Sequence, residues 1–430
     1  MLETKKKQSH GRHWMVVAAG IAAGCMTALA FNSAGIFMPS VMRALGLATV
    51  TQLSFYLTIA AFVMAVSMPL WGSLVEKFSI KLLGSAAVIV VACTFFMMSF
   101  AVSVVVFYIA GVLFGLTMAF LTYMFIPTMI NRWFAKRVGT FTGLCYAAAS
   151  FGAVIFNPIG GAVIDSLGWA AGYRVFGVIA LVLCLPFMLL MKDRPSDCGL
   201  LPYGVEDDSG RGSKNTALVQ EEGVTSKVAM KSSAFYLAAI SAACLGIIAG
   251  IYQLLPTYAS KLPIAEGAVM LGSTLASAAM IGSTIGKLAL GYLNDISVKL
   301  ALSICAVAGS VGMLLMWLLP VASATVLVGG FLYGVLFAGT TVQTPLLVRK
   351  AFGLRDYNRI YSRVSMVRSL FGAFGVTIWS ISISSGGYAL MFSGGIVVAV
   401  ILAVCGITAV RMGQRLIKAN RVPETRAAEV

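Results

Sequence analysis

Charge is scarce in this chain. Asp, Glu, Lys and Arg make up 11% of its 430 residues, against roughly 25% in soluble domains, too few to cover a water-soluble fold. Histidine is nearly missing: His10 and His13 are the only two, and both lie in the tail before the first apolar run. The eight cysteines are scattered, mostly inside apolar runs, with no CxxC and no Cys/His cluster. These absences exclude a metal site and a disulfide framework, and no cofactor is expected. Every one of the 15 acids lies in a tail, in a loop or at the end of an apolar run. Serines inside the runs therefore have no base beside them, which argues against an enzyme.

What is present is long and apolar. The composition is 59% hydrophobic with a mean hydropathy of +0.93. Twelve runs are long enough to cross a bilayer: about 14–37, 51–72, 81–101, 104–130, 139–164, 171–191, 233–258, 266–292, 298–319, 323–347, 358–384 and 387–410. In lipid the backbone must satisfy itself, so each run is expected to be a helix; a barrel would show short alternating strands instead. The opening MLETKKKQSHGRHW is similar to a signal-peptide start, but the run behind it is too long and lacks a clear cleavage site, so it reads as the first membrane helix.

The net charge of +16 raises the question of nucleic acid. The placement of the charge answers it. With both termini on one side, that side carries 26 of the 31 Lys and Arg, the other side three (Arg43, Arg174, Lys261), and two lie deep (Lys287, Arg368). This is the positive-inside bias and predicts both termini in the cytoplasm. The expected setting is a bacterial cytoplasmic membrane. A nucleic-acid site needs a folded basic face, and here short loops carry the charge, so no nucleic-acid partner is expected.

Residues 192–232 are polar and divide the chain into 1–191 and 233–430, with six runs each. The halves match at an offset of about 219. Gly72, Leu74 and Glu76 answer Gly291, Leu293 and Asp295; Gly111 and Gly115 answer Gly330 and Gly334; Pro127 answers Pro345, and Phe134 answers Phe352. Two parallel six-helix halves imply an all-α membrane protein of twelve helices in two pseudo-symmetric bundles, the layout of a major facilitator transporter. GSLVEKFSIK (72–81) resembles the loop 2–3 motif of that superfamily, with Glu76 where Asp is common and Ser79 where Gly is common. NRWFAKRVGTFTG (131–143) resembles its loop 4–5. RPSDCGLLPYG (194–204) and FGLRDYNRIYSRVSMVRSLFG (352–372) resemble the oxalate:formate antiporter family and its monocarboxylate-transporter relatives.

A cation at the bilayer centre costs roughly 2.5–3.5 kcal/mol on insertion scales and is a functional hypothesis by default. Arg368 lies ten to twelve residues into its run, about 15–18 Å deep, beyond the reach of snorkelling. Lys287 stands eight residues before Asp295. It ends a stripe with Ser273, Ser277, Met280 and Thr284, and a small or polar stripe faces protein or water. Arg368, Gly372, Gly375, Trp379 and Ser382 form a second stripe, and Gly24, Ala28, Asn32 and Gly35 a third; close helix packing is the competing reading of all three. Arg359 and Arg363 are shallower and read as interface anchors.

The family resemblance implies more. Oxalate:formate antiporters use one cation in helix 8 and one in helix 11 to grip substrate carboxylates, and Lys287 and Arg368 fall at those places. The types are exchanged, since the family usually has Arg in helix 8 and Lys in helix 11; arginine forks onto a carboxylate where lysine is a point charge. Tyr123, Tyr146, Tyr333 and Phe337 are the implied aromatic walls, with Asn32 added from its stripe. Glu76, Asp295 and Arg137 are the implied gating charges, tying the halves together at the cytoplasmic side. The expected activity is secondary transport of small mono- or dicarboxylates by alternating access, as anion exchange, by a monomer in the lipid bilayer. Proton-coupled monocarboxylate symport is the alternative. Transporters driven by protons often relay them through a buried acid or histidine, and the apolar runs contain neither.

Overall fold

The computed structural model describes residues 11–47, 50–205, 223–259, 261–262 and 268–427. Long helices dominate them, as backbone in lipid requires. The first bundle comprises α1 (Gly11–Leu45), α2 (Val50–Lys77), α3 (Ile80–Ser99), α4 (Val104–Trp133), α5 (Val138–Leu167) and α6 (Trp169–Leu190). The second comprises α7 (Ser233–Ala259), α8 (Ala268–Ile296), α9 (Val298–Leu318), α10 (Ser323–Phe352), α11 (357–385) and α12 (388–427). Gly386 and Gly387 break the last two apart, and Gly387 takes the left-handed φ of 68° that a side chain resists.

Two helix ends depart from the hydropathy pattern. α1 runs through Pro39 to Leu45 and stops where Gly46 turns left-handed, with the Gly46 and Leu47 amides donating to Arg43 and Met42 carbonyls. Arg43 is thus helical rather than in a loop. α12 continues well past 410, its basic end remaining helical to 427. The segment after α6 is stitched to both bundles. Asp193 accepts from the Lys81 amide at 2.8 Å, the Tyr203 amide donates to Trp133 at 2.8 Å, and the Ser226 amide donates to Asp356 at 2.7 Å. His13 joins this corner, buried against Trp133, Phe134 and Tyr203 with Nε2 at 3.0 Å from the Leu201 carbonyl. It is a packed residue rather than a solvated tail residue.

The internal repeat extends to atomic contacts. Gly115 of α4 presses on the Ala60 carbonyl of α2, and Gly334 of α10 presses on the Ala279 carbonyl of α8; 334 − 115 and 279 − 60 are both 219. The register then slips. Twelve residues separate Gly115 from Pro127, but eleven separate Gly334 from Pro345. The extra residue lies where α4 widens into a π-helix over Ala119–Phe125, while α10 is α-helical throughout. A π-bulge is a helix that has absorbed one added residue, and such bulges occur frequently at functional sites. α1 has its own π segment, Ala28–Asn32, and the two meet through Thr27 and Thr122, whose hydroxyls lie 2.7 Å apart.

Candidate functional site

The bundles touch mainly along two helix pairs, α5 with α8 and α2 with α11, with smaller contacts of α4 with α11 and of α5 with α10. Both termini of the helical array lie on one face, called here the terminal face. There the two pairs are fastened by equivalent residues. On α8, Asp295 accepts from the Gly139 amide (2.6 Å), the Thr140 amide (2.7 Å) and the Thr140 hydroxyl (2.6 Å), capping the start of α5. On α2, Glu76 pairs with Arg359 at the start of α11, Oε2 to Nε 2.6 Å. The offsets 295 − 76 and 359 − 140 are again 219. Gly291 and Gly72 allow this approach: a Cβ on Gly291 would stand 2.6 Å from the Gly139 carbonyl, and one on Gly72 2.8 Å from that of Asn358. Thr128 adds a 2.7 Å hydrogen bond to the Asn358 side chain. Arg359 is therefore an inter-bundle ion-pair partner, not a free interface anchor, and Arg363 has one buried guanidinium nitrogen, Nη1, without a partner. Arg137 makes no ion pair with Asp295; its left-handed backbone (φ 57°) begins α5 beside it.

Deeper in, the two cations cross the same interface. Arg368 is eleven residues into α11 and Lys287 nine residues from the end of α8, both about 14–16 Å in from the terminal face. Lys287 is 6% exposed and donates to Ser150 Oγ of α5 at 2.7 Å. Arg368 is 7% exposed; its guanidinium carbon lies 4.4 Å from the centre of the Tyr123 ring of α4, and Nη2 reaches Ser369 Oγ at 3.3 Å. Tyr146 and Tyr361 lie within electrostatic range of the guanidinium. The π-bulge places Tyr123 here and frees the Thr122 carbonyl, which accepts from the Tyr146 hydroxyl at 3.1 Å. Tyr146 and Ser150 are one turn apart on α5, so their side chains share a face. One face of α5 thereby serves both cations.

The other candidates fall elsewhere. Asn32 donates to the Ala149 carbonyl at 2.9 Å, adjacent in sequence to the lysine's partner. The Tyr333 hydroxyl is committed to the Ile248 carbonyl at 2.8 Å, and its ring joins a ladder with Phe337 and Tyr252 inside the second bundle. Packing accounts for most of two stripes, though Gly35 faces open space. Gly24 and Ala28 press on α5; Gly372 and Gly375 press on α7, and Trp379 donates to the Ile247 carbonyl. The α8 stripe differs: Ser277 is exposed, Met280 and Thr284 are half-buried, and Lys287 is buried. Ser150 and Tyr361 lie outside the candidates that the sequence offers. A serine at the i+4 position from Tyr146, and a tyrosine two turns before Arg368, were the available signals.

Two repeated bundles fastened at one face, with charge held between them, define a helical membrane carrier. The model of the Major Facilitator Superfamily matches residues 20–281, and the chain belongs to that superfamily of transporters. It is 24% identical over 318 residues to an uncharacterized MFS-type transporter of Escherichia coli (strain K12), YhjX, covering 73% of this chain and 75% of the relative. In fold it is similar to the Major Facilitator Superfamily transporter FucP, solved in the outward conformation, with a TM-score of 0.66, 15% identity, and coverage of 91% of this chain and 98% of FucP.

Proposed function

We propose that this transporter exchanges small organic anions, mono- or dicarboxylates, gripped between Lys287 and Arg368. One observation carries the reading: both cations are buried between the bundles and, among the described residues, meet only neutral groups there, the hydroxyls of Ser150 and Ser369 and the face of Tyr123. Buried charge without a counter-charge is costly. An entering carboxylate replaces these neutral contacts with charge-assisted ones, which are shorter and stronger. Because the neutral contacts span the two bundles, binding cargo also loosens them, and the loaded carrier can rearrange. The empty carrier keeps two like charges facing the interface, which opposes closing around nothing. The resemblance of 194–204 and 352–372 to the oxalate:formate antiporter family supports the substrate class, and the rising exposure along the α8 stripe supports access from the face opposite the termini. Cytoplasmic termini follow from the positive-inside bias.

Efflux from proteoliposomes loaded with labelled carboxylate, at equal pH on both sides, tests this. External carboxylate is expected to release the label rapidly, and buffer alone to release little. Rapid efflux into buffer would exclude obligatory exchange, and acceleration by a pH gradient alone would favour proton symport.

A further inference from the structure

At the terminal face a cavity of about 990 Å³ lies between the bundles. The α4–α5 loop supplies Lys136 and Arg137, and the end of α10 supplies Arg349 and Lys350. The extension of α12 supplies Arg411, Arg415 and Lys418, spaced i, i+4 and i+7 and so on one helix face. The acid in the wall is Asp295, whose two oxygens already accept three hydrogen bonds from α5. Among the described residues, none of the seven basic side chains has a hydrogen bond or ion pair at its charged group, although Arg349 lies within electrostatic range of Asp295.

Positive-inside bias accounts for basic loops on one face, but it does not require loops from both bundles and a helix extension to converge on one concavity. With seven cations against the one carboxylate of Asp295, the wall carries a strong positive excess, and such a cleft concentrates its field and its counter-ions. Four of the seven are arginines, whose planar forks fit tetrahedral oxyanions. The volume is at the upper end of small-ligand sites, ~300–1,000 Å³, and exceeds what a small carboxylate needs. We propose that this cavity binds a polyvalent phosphate-bearing anion, either the headgroup of an anionic phospholipid or a soluble phosphate. Its basic residues come from both bundles, so the bound anion ties Lys136 and Arg137 of the first to Arg349 and Arg411 of the second. Occupancy then holds the terminal face shut and slows the conformational cycle.

The test is binding, independent of transport. Purified protein is placed in nanodiscs of phosphatidylcholine, with or without phosphatidylglycerol, and separately titrated with inorganic pyrophosphate; bound lipid is read by native mass spectrometry and bound pyrophosphate by thermal shift. The triple variant R411Q/R415Q/K418Q is compared with K192Q/K227Q/K231Q, which removes equal charge from exposed positions outside the cavity. Wild type and the control variant are expected to retain one of the two probes, and the cavity variant to lose ~10-fold or more in affinity, since charge-assisted contacts are the strong ones. Retention of phosphatidylglycerol alone assigns the lipid, and a response to pyrophosphate alone assigns the soluble anion. No binding of either probe by wild type, or equal loss in both variants, overturns the proposal.

Discussion

Arg368 rests on the face of Tyr123, and this contact separates ring from hydroxyl. A buried cation–π contact contributes about 2 kcal/mol, or ~30-fold in an equilibrium constant. Tyr123→Phe is expected to leave carboxylate exchange within ~3-fold of wild type, and Tyr123→Leu to reduce it by ~10-fold or more, read as initial exchange rates in proteoliposomes. Ser150→Ala removes the acceptor that holds Lys287 to α5. If cargo competes for that lysine, the variant binds carboxylate as tightly as wild type or more tightly, measured by thermal shift against carboxylate concentration. The importance of Arg368 was legible from its depth alone, because hydropathy makes a mid-bilayer cation conspicuous. Its neighbours were not. Arg359 and Arg363 look alike in the string, yet one pairs with Glu76 at 2.6 Å and the other keeps a buried, unpartnered nitrogen, a difference set by what the facing bundle presents.

At the level of elements, the two terminal-face fastenings are equivalent in position but unequal in strength. The Glu76–Arg359 pair is 27% and 44% exposed at its two side chains, and such pairs contribute ~1 kcal/mol at most. Asp295 instead makes three short hydrogen bonds at the start of a thirty-residue helix, where a cap contributes about 1–2 kcal/mol and the helix dipole adds to it. Asp295→Asn is therefore expected to loosen the terminal face ~5–30-fold, and Glu76→Gln less than ~5-fold. The measure is the labelling rate of a cysteine placed at Thr140 in the Glu76 variant, or at Asn358 in the Asp295 variant, in a cysteine-free background. The spans themselves were legible because apolar runs are a local signal. The π-bulge of α4 was visible only as a slip in the repeat, and reading it required knowing that a helix can absorb a residue without ending.

For the whole molecule, the contacts described between the bundles run from the terminal face to the level of the two cations. A cysteine at Thr284, on the half-buried part of the α8 stripe, is expected to react with a membrane-impermeant maleimide from the side opposite the termini, and more slowly once carboxylate is present. Faster labelling from the terminal side would reverse the assigned state. The two-bundle fold was legible because a twofold repeat leaves matched residues at a constant spacing. Which bundle surfaces meet, and at what depth, depends on distant helices approaching one another, and no local pattern encodes that.

In the proposed carrier, Lys287 and Arg368 together hold an anionic cargo. Counterflow of labelled mono- and dicarboxylates in proteoliposomes, with wild type beside Lys287→Gln and Arg368→Gln, tests it most directly. Removing one partner of a buried charge contact costs about 2–5 kcal/mol, so each variant is predicted to lose ~30-fold or more in apparent affinity while melting no lower than wild type, since an uncompensated buried charge is itself costly. Normal exchange by both variants, or a wild type that prefers organic cations, would contradict the claim.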